Sequence, residues 1–391
     1  MSCKRILVRR QRGLMNGLWQ EGHFLELECV SDQLEGARLN QIRTAKVKNI
    51  VKNINAAFLE LGGSQAAYYD LAAHPAGERA VKAGDELVVQ ICAEAVKTKA
   101  PMVTQKLTMN GRYVVLTWKS PGLRCSSKIR DEEWKGRMET ELRELLTEDC
   151  GLILRTNAYG AASQDILEEG RRLRQKLDSL LRAAPARSCY SLLYDPPAEW
   201  MVSVRDTYDL EETVTDDPEI YQQLKGFFEE WAPELLPSLR LYQDGSLSLA
   251  ACYGLDSAVS EALQERVWLK SGAYLVIQPT EAMTVIDVNT GKAIQGKRTS
   301  DETFWKINQE AAAEVARQLR LRNLSGIIMA DFINMRSGDY KKQLLAQLRR
   351  LVQADPVQTS VVDMTRLELV EITRKKLKKP LAEAIAALSE I

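Results

Sequence analysis

Two short apolar runs decide the fold of this chain: AMTVIDVNTG at residues 282–291 and GIIMADFINM at residues 326–335. Both runs are rich in the apolar and β-branched residues that favour strands. Between them, apolar side chains recur at helical spacing from about residue 302 to residue 322. A strand, a helix and a second strand form a βαβ unit. The pattern therefore predicts two parallel strands in one sheet.

A polar side chain stands near the end of each predicted strand. Asp287 and Asn289 close the first run, and Asp331 closes the apolar part of the second. The carboxyl ends of parallel strands share the sheet edge where open α/β sheets bind ligands. Two carboxylates and an amide oxygen form a site that suits Mg²⁺. Aspartate also favours turns and helix caps, so each residue alone has an ordinary structural interpretation. The pair is more specific than either residue.

Length and composition set the class of protein. The chain has 391 residues, enough for about two to four domains. Lys plus Arg and Asp plus Glu both total 53, so net charge neither indicates nor excludes a nucleic-acid partner. No apolar run approaches the roughly 18 residues of a membrane span, and the start does not resemble a signal peptide. Seven scattered cysteines and two histidines argue against a disulfide framework. We expect a cytoplasmic protein with reduced thiols and no membrane partner.

Several short strands separated by Gly and Asn turns are predicted between residues 37 and 106, after strands at 4–9 and 23–30. This spacing favours a small barrel of the OB type. Lysines suit phosphates and aromatic rings suit stacked bases, and the segment offers both. The candidates are Lys46, Lys48, Lys52, Phe58, Tyr68 and Tyr69. Phe58 fits the barrel core equally well.

Two further segments carry candidate phosphate contacts. Arg155 and Thr156 end a predicted strand, where a guanidinium and a hydroxyl could hold a phosphate, although local evidence favours an ordinary exposed strand end. The basic run 373–379 is typical of a solvated helix face, while Arg366 and Arg374 could equally line a phosphate path. A linker is expected at 184–187, and a strand is expected at 201–206.

The motifs TVIDVNTG (284–291), RQLRLR (317–322) and ADFINM (330–335) resemble the catalytic region of the ribonuclease E/G family. These are Mg²⁺-dependent endoribonucleases that cut single-stranded RNA to 5′-phosphate and 3′-hydroxyl ends. The resemblance implies that Asp287 and Asp331 bind Mg²⁺, with Mn²⁺ as an alternative ion, and that Asn289 assists. One departure is Asn334, where the family usually has Asp, and an amide at this position adds no negative charge near the metal.

The resemblance extends from about residue 5 to about residue 380 and implies further roles. Residues near 38–62 are similar to the RNA-binding OB domain of the family, and GLILRT (151–156) is similar to its sensor for the 5′-monophosphate of RNA. The residues so implied are Phe58 and Tyr68 for base stacking, Lys99 for a basic contact, Arg155 and Thr156 for the 5′-phosphate, and Val115 for packing the first base.

The implied fold class is α+β and multidomain. An RNase-H-like scaffold formed by 1–35 and 186–262 would carry two insertions, the OB-type barrel at 36–106 and the 5′-sensor at 107–185. A DNase-I-like α/β catalytic domain would follow at 263–391.

We therefore expect an endoribonuclease that acts in RNA processing and decay. A catalytically silent RNA-binding protein is the alternative, but the presence of both aspartates argues against it. A Mg²⁺-dependent DNA nuclease would explain the acidic site and not the aromatic barrel surface. The family commonly shares one zinc ion between two chains through a Cys-Pro-x-Cys motif, whereas the last cysteine here is Cys252. The expectation is no structural zinc, and a monomer or a weak homodimer.

Overall fold

The computed structural model describes residues 3–31, 38–62, 66–74, 78–93, 100–294 and 300–389. Within these ranges the protein is a mixed α+β structure. In chain order its strands are β1 (Cys3–Arg10), β2 (Gly13–Gln20), β3 (His23–Ser31), β4 (Ile42–Val51), β5 (Ala56–Glu60), β6 (Ala66–Asp70), β7 (Glu86–Ala93), β8 (Met102–Thr104), β9 (Thr108–Asn110), β10 (Val114–Trp118), β11 (Gly122–Cys125), β12 (Cys150–Leu154), β13 (Leu192–Tyr194), β14 (Leu210–Thr215), β15 (Leu239–Leu241), β16 (Arg266–Trp268), β17 (Tyr274–Pro279), β18 (Met283–Asn289), β19 (Gly326–Asp331), β20 (Thr359–Met364) and β21 (Leu369–Arg374).

Its helices are α1 (Glu132–Glu141), α2 (Ser163–Ala183), α3 (Glu199–Arg205), α4 (Pro218–Trp231), α5 (Leu249–Tyr253), α6 (Leu255–Leu263), α7 (Asp301–Leu321), α8 (Gly338–Val352) and α9 (Leu381–Ser389). Across the described residues, none of them combines the length and the apolar character that crossing a membrane requires. The chain divides into two compact units, Met1–Gln33 with Asp209–Gln223 and Ser238–Ile391, and Leu34–Tyr208 with Leu224–Pro237.

The first unit contains the predicted βαβ element. Its larger sheet has the strand order β16-β17-β18-β19-β21-β20, and β18 runs parallel to β19. The connecting helix α7 begins where the Ser300 side chain accepts a hydrogen bond from the backbone N–H of Thr303. Ile307, Val315 and Leu319 of α7 are buried against this sheet in one core with α8. The strand–helix–strand prediction is confirmed.

A second sheet in the same unit has the order β15-β14-β1-β2-β3. Its β3 is tied to α7 by a half-buried ion-pair bridge centred on Glu26. One Glu26 oxygen lies 3.0 Å from Arg5 Nη2 of β1, and the other lies 2.8 Å from Arg320 Nη2 of α7. Burial raises the pKa of Glu26, but the two guanidinium groups hold the pKa below its ordinary value. We call this group the Glu26 bridge.

The second unit contains a closed barrel. Strand β4 pairs with both β5 and β7, which closes the ring β4-β5-β6-β8-β7, and β13 pairs with the first residues of β4. Alternate residues fill the interior, among them Leu59, Tyr69, Val89 and Ile91. A five-stranded closed barrel is consistent with the predicted OB-type domain. A separate sheet of order β11-β12-β10-β9 lies in the same unit.

Three local predictions were wrong. The segment joining the strands predicted at 4–9 and 23–30 contains β2. The strand expected at 201–206 is absent, since residues 201–205 form the end of α3, where Trp200 and Val204, four apart on the helix, are both buried. The basic run at 373–379 is not a helix face, since it comprises the end of β21 and an irregular segment before α9.

Candidate active site

The acidic site, which we define as Asp287, Asn289 and Asp331, lies at the carboxyl ends of β18 and β19. Asp287 and Asp331 are register partners across the two parallel strands, and both side chains are exposed. The Asn289 amide Nδ2 donates a hydrogen bond of 2.6 Å to Asp287 Oδ2. The predicted meeting of the two strand ends is thus present, and Asn289 orients one of the two carboxylates.

The two carboxylates interact electrostatically. Loss of part of its hydration at the sheet surface, together with the negative charge of Asp287, raises the pKa of Asp331 above its ordinary value. A bound cation would relieve this repulsion. The possible ligand atoms of the site are carboxylate and amide oxygens, which hard divalent ions prefer. Within the described ranges, no cluster of three or more His, Cys, Asp or Glu side chains is placed to hold a metal. Two carboxylates nevertheless fit Mg²⁺, which usually retains several waters.

A buried asparagine fixes the segment that follows Asp331. Asn308 of α7 is fully buried, and its Nδ2 donates to the Ile333 carbonyl oxygen at 2.8 Å. Its Oδ1 accepts from the Ile333 backbone N–H at 3.0 Å. This pair of bonds holds the chain between Asp331 and Asn334, whose side chain is exposed. Sequence reasoning missed Asn308, because a polar residue on the apolar face of α7 carried no visible partner.

The turn after Asn289 requires glycine. Gly291 has a φ of +49°, and a Cβ at this position would lie 2.5 Å from the Gly272 carbonyl oxygen. The same Cβ would lie 3.1 Å from Cδ1 of Tyr274, which packs against the turn. Glycine therefore permits both the left-handed backbone and the close approach of neighbouring atoms.

The barrel presents Phe58 and Tyr68 on its outer face. They are register partners on β5 and β6, half-buried, with ring centroids 6.1 Å apart in an edge-to-face arrangement. The interpretation of Phe58 as a core residue is wrong, because its neighbours Ala57 and Leu59 fill the interior instead. Lys99 lies outside the described residues.

Tyr69 does not belong to this surface. It is buried in the barrel, and its hydroxyl donates to Gln105 Oε1 at 3.0 Å and lies 2.7 Å from His74 Nδ1. The expectation that Tyr69 stacks on bases is wrong, because strand alternation points its side chain inward while Tyr68 points outward.

The candidate 5′-sensor residues lie together in the second unit. Arg155 follows β12, and its Nη2 lies 2.6 Å from Asp206 Oδ2 while its Nη1 donates to the Gly111 carbonyl oxygen at 2.5 Å. Thr156 Oγ1 lies 3.0 Å from Ser126 Oγ. Val115 of β10 is half-buried. Asp206 was not identified from the sequence, and it holds the guanidinium in place.

A buried carboxylate shapes the turn at Gly111–Val114, which we call the sensor turn. Glu169 of α2 accepts backbone hydrogen bonds from Arg112, Tyr113 and Val114 at 2.6, 2.7 and 2.9 Å. Burial raises the pKa of Glu169, while these donors and the nearby Arg205 charge act in the opposite direction. A Cβ at Gly111 would lie 2.4 Å from the Glu169 carboxylate, so the close approach requires glycine.

The two arginines considered for a phosphate path differ in environment. Arg366 is exposed and lies three residues before Leu369, the register partner of Asp331. Arg374 is buried, with its Nε 2.7 Å from Asp355 Oδ2 and its Nη1 2.6 Å from Asn323 Oδ1. These contacts give Arg374 a structural role, and the expectation that it lines an exposed phosphate path is corrected.

Comparison with known proteins agrees with this arrangement. A family model described as the Ribonuclease E/G family matches residues 108–377. Ribonuclease G of Haemophilus influenzae is 30% identical over 375 residues, covering 91% of this chain and 76% of that protein. Ribonuclease G of Escherichia coli K12 is 31% identical over 384 residues, covering 93% and 78%. Ribonuclease E of Synechocystis sp. PCC 6803 is 32% identical over 395 residues, covering 97% and 58%. The chain therefore belongs to the ribonuclease E/G family of endoribonucleases.

Proposed function

We propose that this protein is a Mg²⁺-dependent endoribonuclease that hydrolyses single-stranded RNA to 5′-phosphate and 3′-hydroxyl ends in RNA processing and decay. The observation that carries the proposal is the register pairing of Asp287 and Asp331 at the carboxyl ends of parallel strands. Asp287 and Asp331 would hold the ion. A Mg²⁺ ion at such a site supplies charge stabilisation for phosphoryl oxygens and a more acidic water.

The remaining residues of the site have supporting roles. Asn289 fixes the direction of the Asp287 carboxylate through its 2.6 Å hydrogen bond. Asn308 fixes the backbone after Asp331, so that the second carboxylate keeps its place relative to the first. The exposed Arg366 offers a cation near the same edge for the phosphate backbone. These roles position the substrate and the ion.

We also propose a preference for RNA that carries a 5′-monophosphate. A guanidinium has five N–H donors, and the bonds of Arg155 to Gly111 and Asp206 leave some of them for a phosphate. The Thr156 hydroxyl is exposed beside it, and Val115 would pack against the first base. On the barrel, Phe58 and Tyr68 would stack on bases, with Lys99 as a basic contact.

For the fold we propose the family arrangement. An RNase-H-like scaffold would comprise 1–35 and 186–262, with the barrel at 36–106 and the sensor at 107–185 inserted, and a DNase-I-like domain at 263–391. Supporting this division, one sheet joins β1–β3 with β14 and β15, and a second contains β16–β21. One strand crosses the proposed boundary, since β13 pairs with β4 of the barrel.

The central experiment measures cleavage of a short fluorescent single-stranded RNA in Mg²⁺ and in EDTA. Asp287→Ala and Asp331→Ala should each abolish cleavage and keep RNA affinity within a few-fold, because other contacts bind the strand. Glu281→Gln is the matched control, since it removes an exposed carboxylate at the opposite end of β18. Full activity in either aspartate variant would refute the metal site. Binding without cleavage by the unmutated protein would favour the catalytically silent alternative.

A second experiment tests the sensor. The unmutated protein should cut 5′-monophosphate RNA faster than the 5′-hydroxyl twin, and Arg155→Ala should erase the difference, because a hydroxyl cannot replace the charged acceptor. Arg187→Ala, at an exposed arginine of the same unit, should keep it. Equal rates on both substrates for the unmutated protein would contradict the proposed role.

The state of assembly stays a prediction. The cysteines of the described residues are all free, and no two lie close in sequence as a local ligand pair would. We propose a monomer or a weak homodimer without a zinc link, which should dissociate on dilution. Elemental analysis and light scattering would decide, and stoichiometric zinc whose removal by EDTA separates a dimer would overturn the proposal.

A further inference from the structure

An aromatic pair with an arginine stands at the β16–β17 edge of the sheet that carries the acidic site. The ring centroids of Trp268 and Tyr274 are 5.0 Å apart, and the Arg266 guanidinium lies 4.5 Å from the Tyr274 ring centroid. Trp268 is 58% exposed. Val267 packs against the core between them, so alternation directs Arg266 and Trp268 to the opposite face of the sheet. We call Arg266, Trp268 and Tyr274 the Trp268 platform, and none of the three belongs to the buried core of this sheet.

Strand register places the platform on the same face as the acidic site. Tyr274 is the register partner of both Trp268 and Asn289, so the three form one row across β16, β17 and β18. In the next row, Arg266 pairs with Val276, which pairs with Asp287. Register partners in adjacent strands project to the same face, and neighbouring strands lie about 4.8 Å apart. The platform is therefore about 10 Å from the acidic site along the sheet.

The contact of Tyr274 with the turn after Asn289 joins the two features physically. Its ring occupies space that any side chain at Gly291 would need. The guanidinium of Arg266 covers the Tyr274 ring and lies 5.8 Å from the Trp268 centroid. Tyr274 and Arg266 thus pack beside Trp268, which is the more exposed ring of the pair. An exposed indole with an adjacent cation suits single-stranded nucleic acid, through base stacking and phosphate attraction.

We propose that Trp268 stacks on a base of the RNA strand beside the bond that is cut, with Arg266 contacting the adjoining phosphate. This inference rests on the proposed function, because the occupant is the strand held at the acidic site. The shared sheet face and the positive charge of Arg266 favour an RNA base over a second copy of the chain. The platform would make cleavage depend on the presence of a base at one position near the cut.

The test is an abasic scan. A set of short single-stranded RNAs with one fixed cut site carries a single abasic nucleotide at each position on either side of that site. For the unmutated protein, kcat/KM should fall about tenfold when the base at one position is missing, as expected for the loss of one stacked base. Trp268→Ala should lower kcat/KM about tenfold on the intact RNA, and kcat/KM should fall no further on the RNA that is abasic at that position. Trp268→Phe should keep most of the dependence.

Controls separate this proposal from the function on which it rests. Val362→Ala removes an exposed apolar side chain on β20, the opposite edge strand, and should leave the scan unchanged. The same RNAs are also bound in EDTA and followed by fluorescence anisotropy, so the stacking contact is measured even if cleavage fails. A scan that is identical in the unmutated protein and in Trp268→Ala would overturn the platform. Loss of a dimer in Trp268→Ala with an unchanged scan would overturn it as well, in favour of a contact between copies.

Discussion

Replacing Glu169 with glutamine should loosen the sensor turn while the rest of α2 is unchanged. In the unmutated protein, one carboxylate oxygen accepts from Arg112 N–H, and the other accepts from Tyr113 N–H and Val114 N–H. Glutamine has one acceptor oxygen and an amide that only donates. If that oxygen accepts from the backbone N–H groups of Tyr113 and Val114, the glutamine NH₂ group faces the backbone N–H of Arg112. Both of these groups are hydrogen-bond donors, so the buried Arg112 N–H is left without an acceptor.

The expected cost follows from these contacts. A hydrogen bond to a charged acceptor is worth about 1.5–3 kcal/mol, and leaving a buried donor unsatisfied costs about 1–3 kcal/mol. Both figures describe the same lost contact, so they are not added together. We therefore expect the sensor turn to lose about 3 kcal/mol of local stability. Such a loss corresponds to about a hundredfold in the local opening equilibrium.

Hydrogen–deuterium exchange of the sensor-turn amides measures this loss directly. The amides of residues 112–114 should exchange about a hundredfold faster in Glu169→Gln. Glu168→Gln, an exposed neighbour on the same helix, is the control and should leave them unchanged. Since the Gly111 carbonyl in this turn accepts from Arg155, the preference for 5′-monophosphate RNA should also weaken in Glu169→Gln. Unchanged exchange at residues 112–114 would refute the assignment of Glu169 as the group that holds the turn.

Three other outcomes are expected. Asp331→Asn should raise the free energy of unfolding in EDTA by at most about 1 kcal/mol, because water screens the repulsion between the two exposed carboxylates. The same variant should abolish stabilisation by Mg²⁺ in urea melts. Glu26→Gln should reduce the loss of unfolding free energy that occurs as the pH falls. The lowered pKa of Glu26 stabilises the unmutated fold at pH values above 4.5, the ordinary pKa of the group, and this stabilisation is lost as the pH falls through the folded-state pKa. Melts from pH 7 to pH 3 test this, and parallel curves would contradict it. Phe58→Ala or Tyr68→Ala should weaken RNA binding about tenfold in anisotropy titrations without lowering the unfolding midpoint; unchanged affinity would exclude stacking there.

The parts of the fold that the sequence predicts are those in which local pattern and burial agree. Helix α7 has apolar residues at helical spacing, and those residues form its buried face. The runs that form β18 and β19 are apolar and bounded by turn residues, so their pairing brought Asp287 and Asp331 together as expected. The sequence left Phe58 open between core and surface, and the pairing of β5 with β6 places it beside Tyr68 on the outer face.

The parts that the sequence did not predict depend on distant partners. Strand β2 contains two glycines, which favour a turn, yet a Cβ at Gly17 would lie 2.4 Å from the Phe24 ring of β3. The glycine therefore makes room for a neighbouring strand. The partner of Arg374, Asp355, lies 19 residues away and buries what looked like a free cation. In α3, a short apolar run fits a strand or a helix equally, and only packing distinguishes them.

The pairing of β1 with β14 also bears on the order in which the chain folds during synthesis. The start of β1 is bonded to residue Asp209, 206 residues later. At about 5–20 residues per second, the ribosome needs roughly 10 to 40 s to deliver that partner. During this interval the β1–β2–β3 meander has an unpaired edge at β1, while the barrel, whose strands are all local, can already close. An early, exposed strand edge is a hazard for association with other nascent chains, and the interval in which this protein is most vulnerable therefore precedes completion of its first unit.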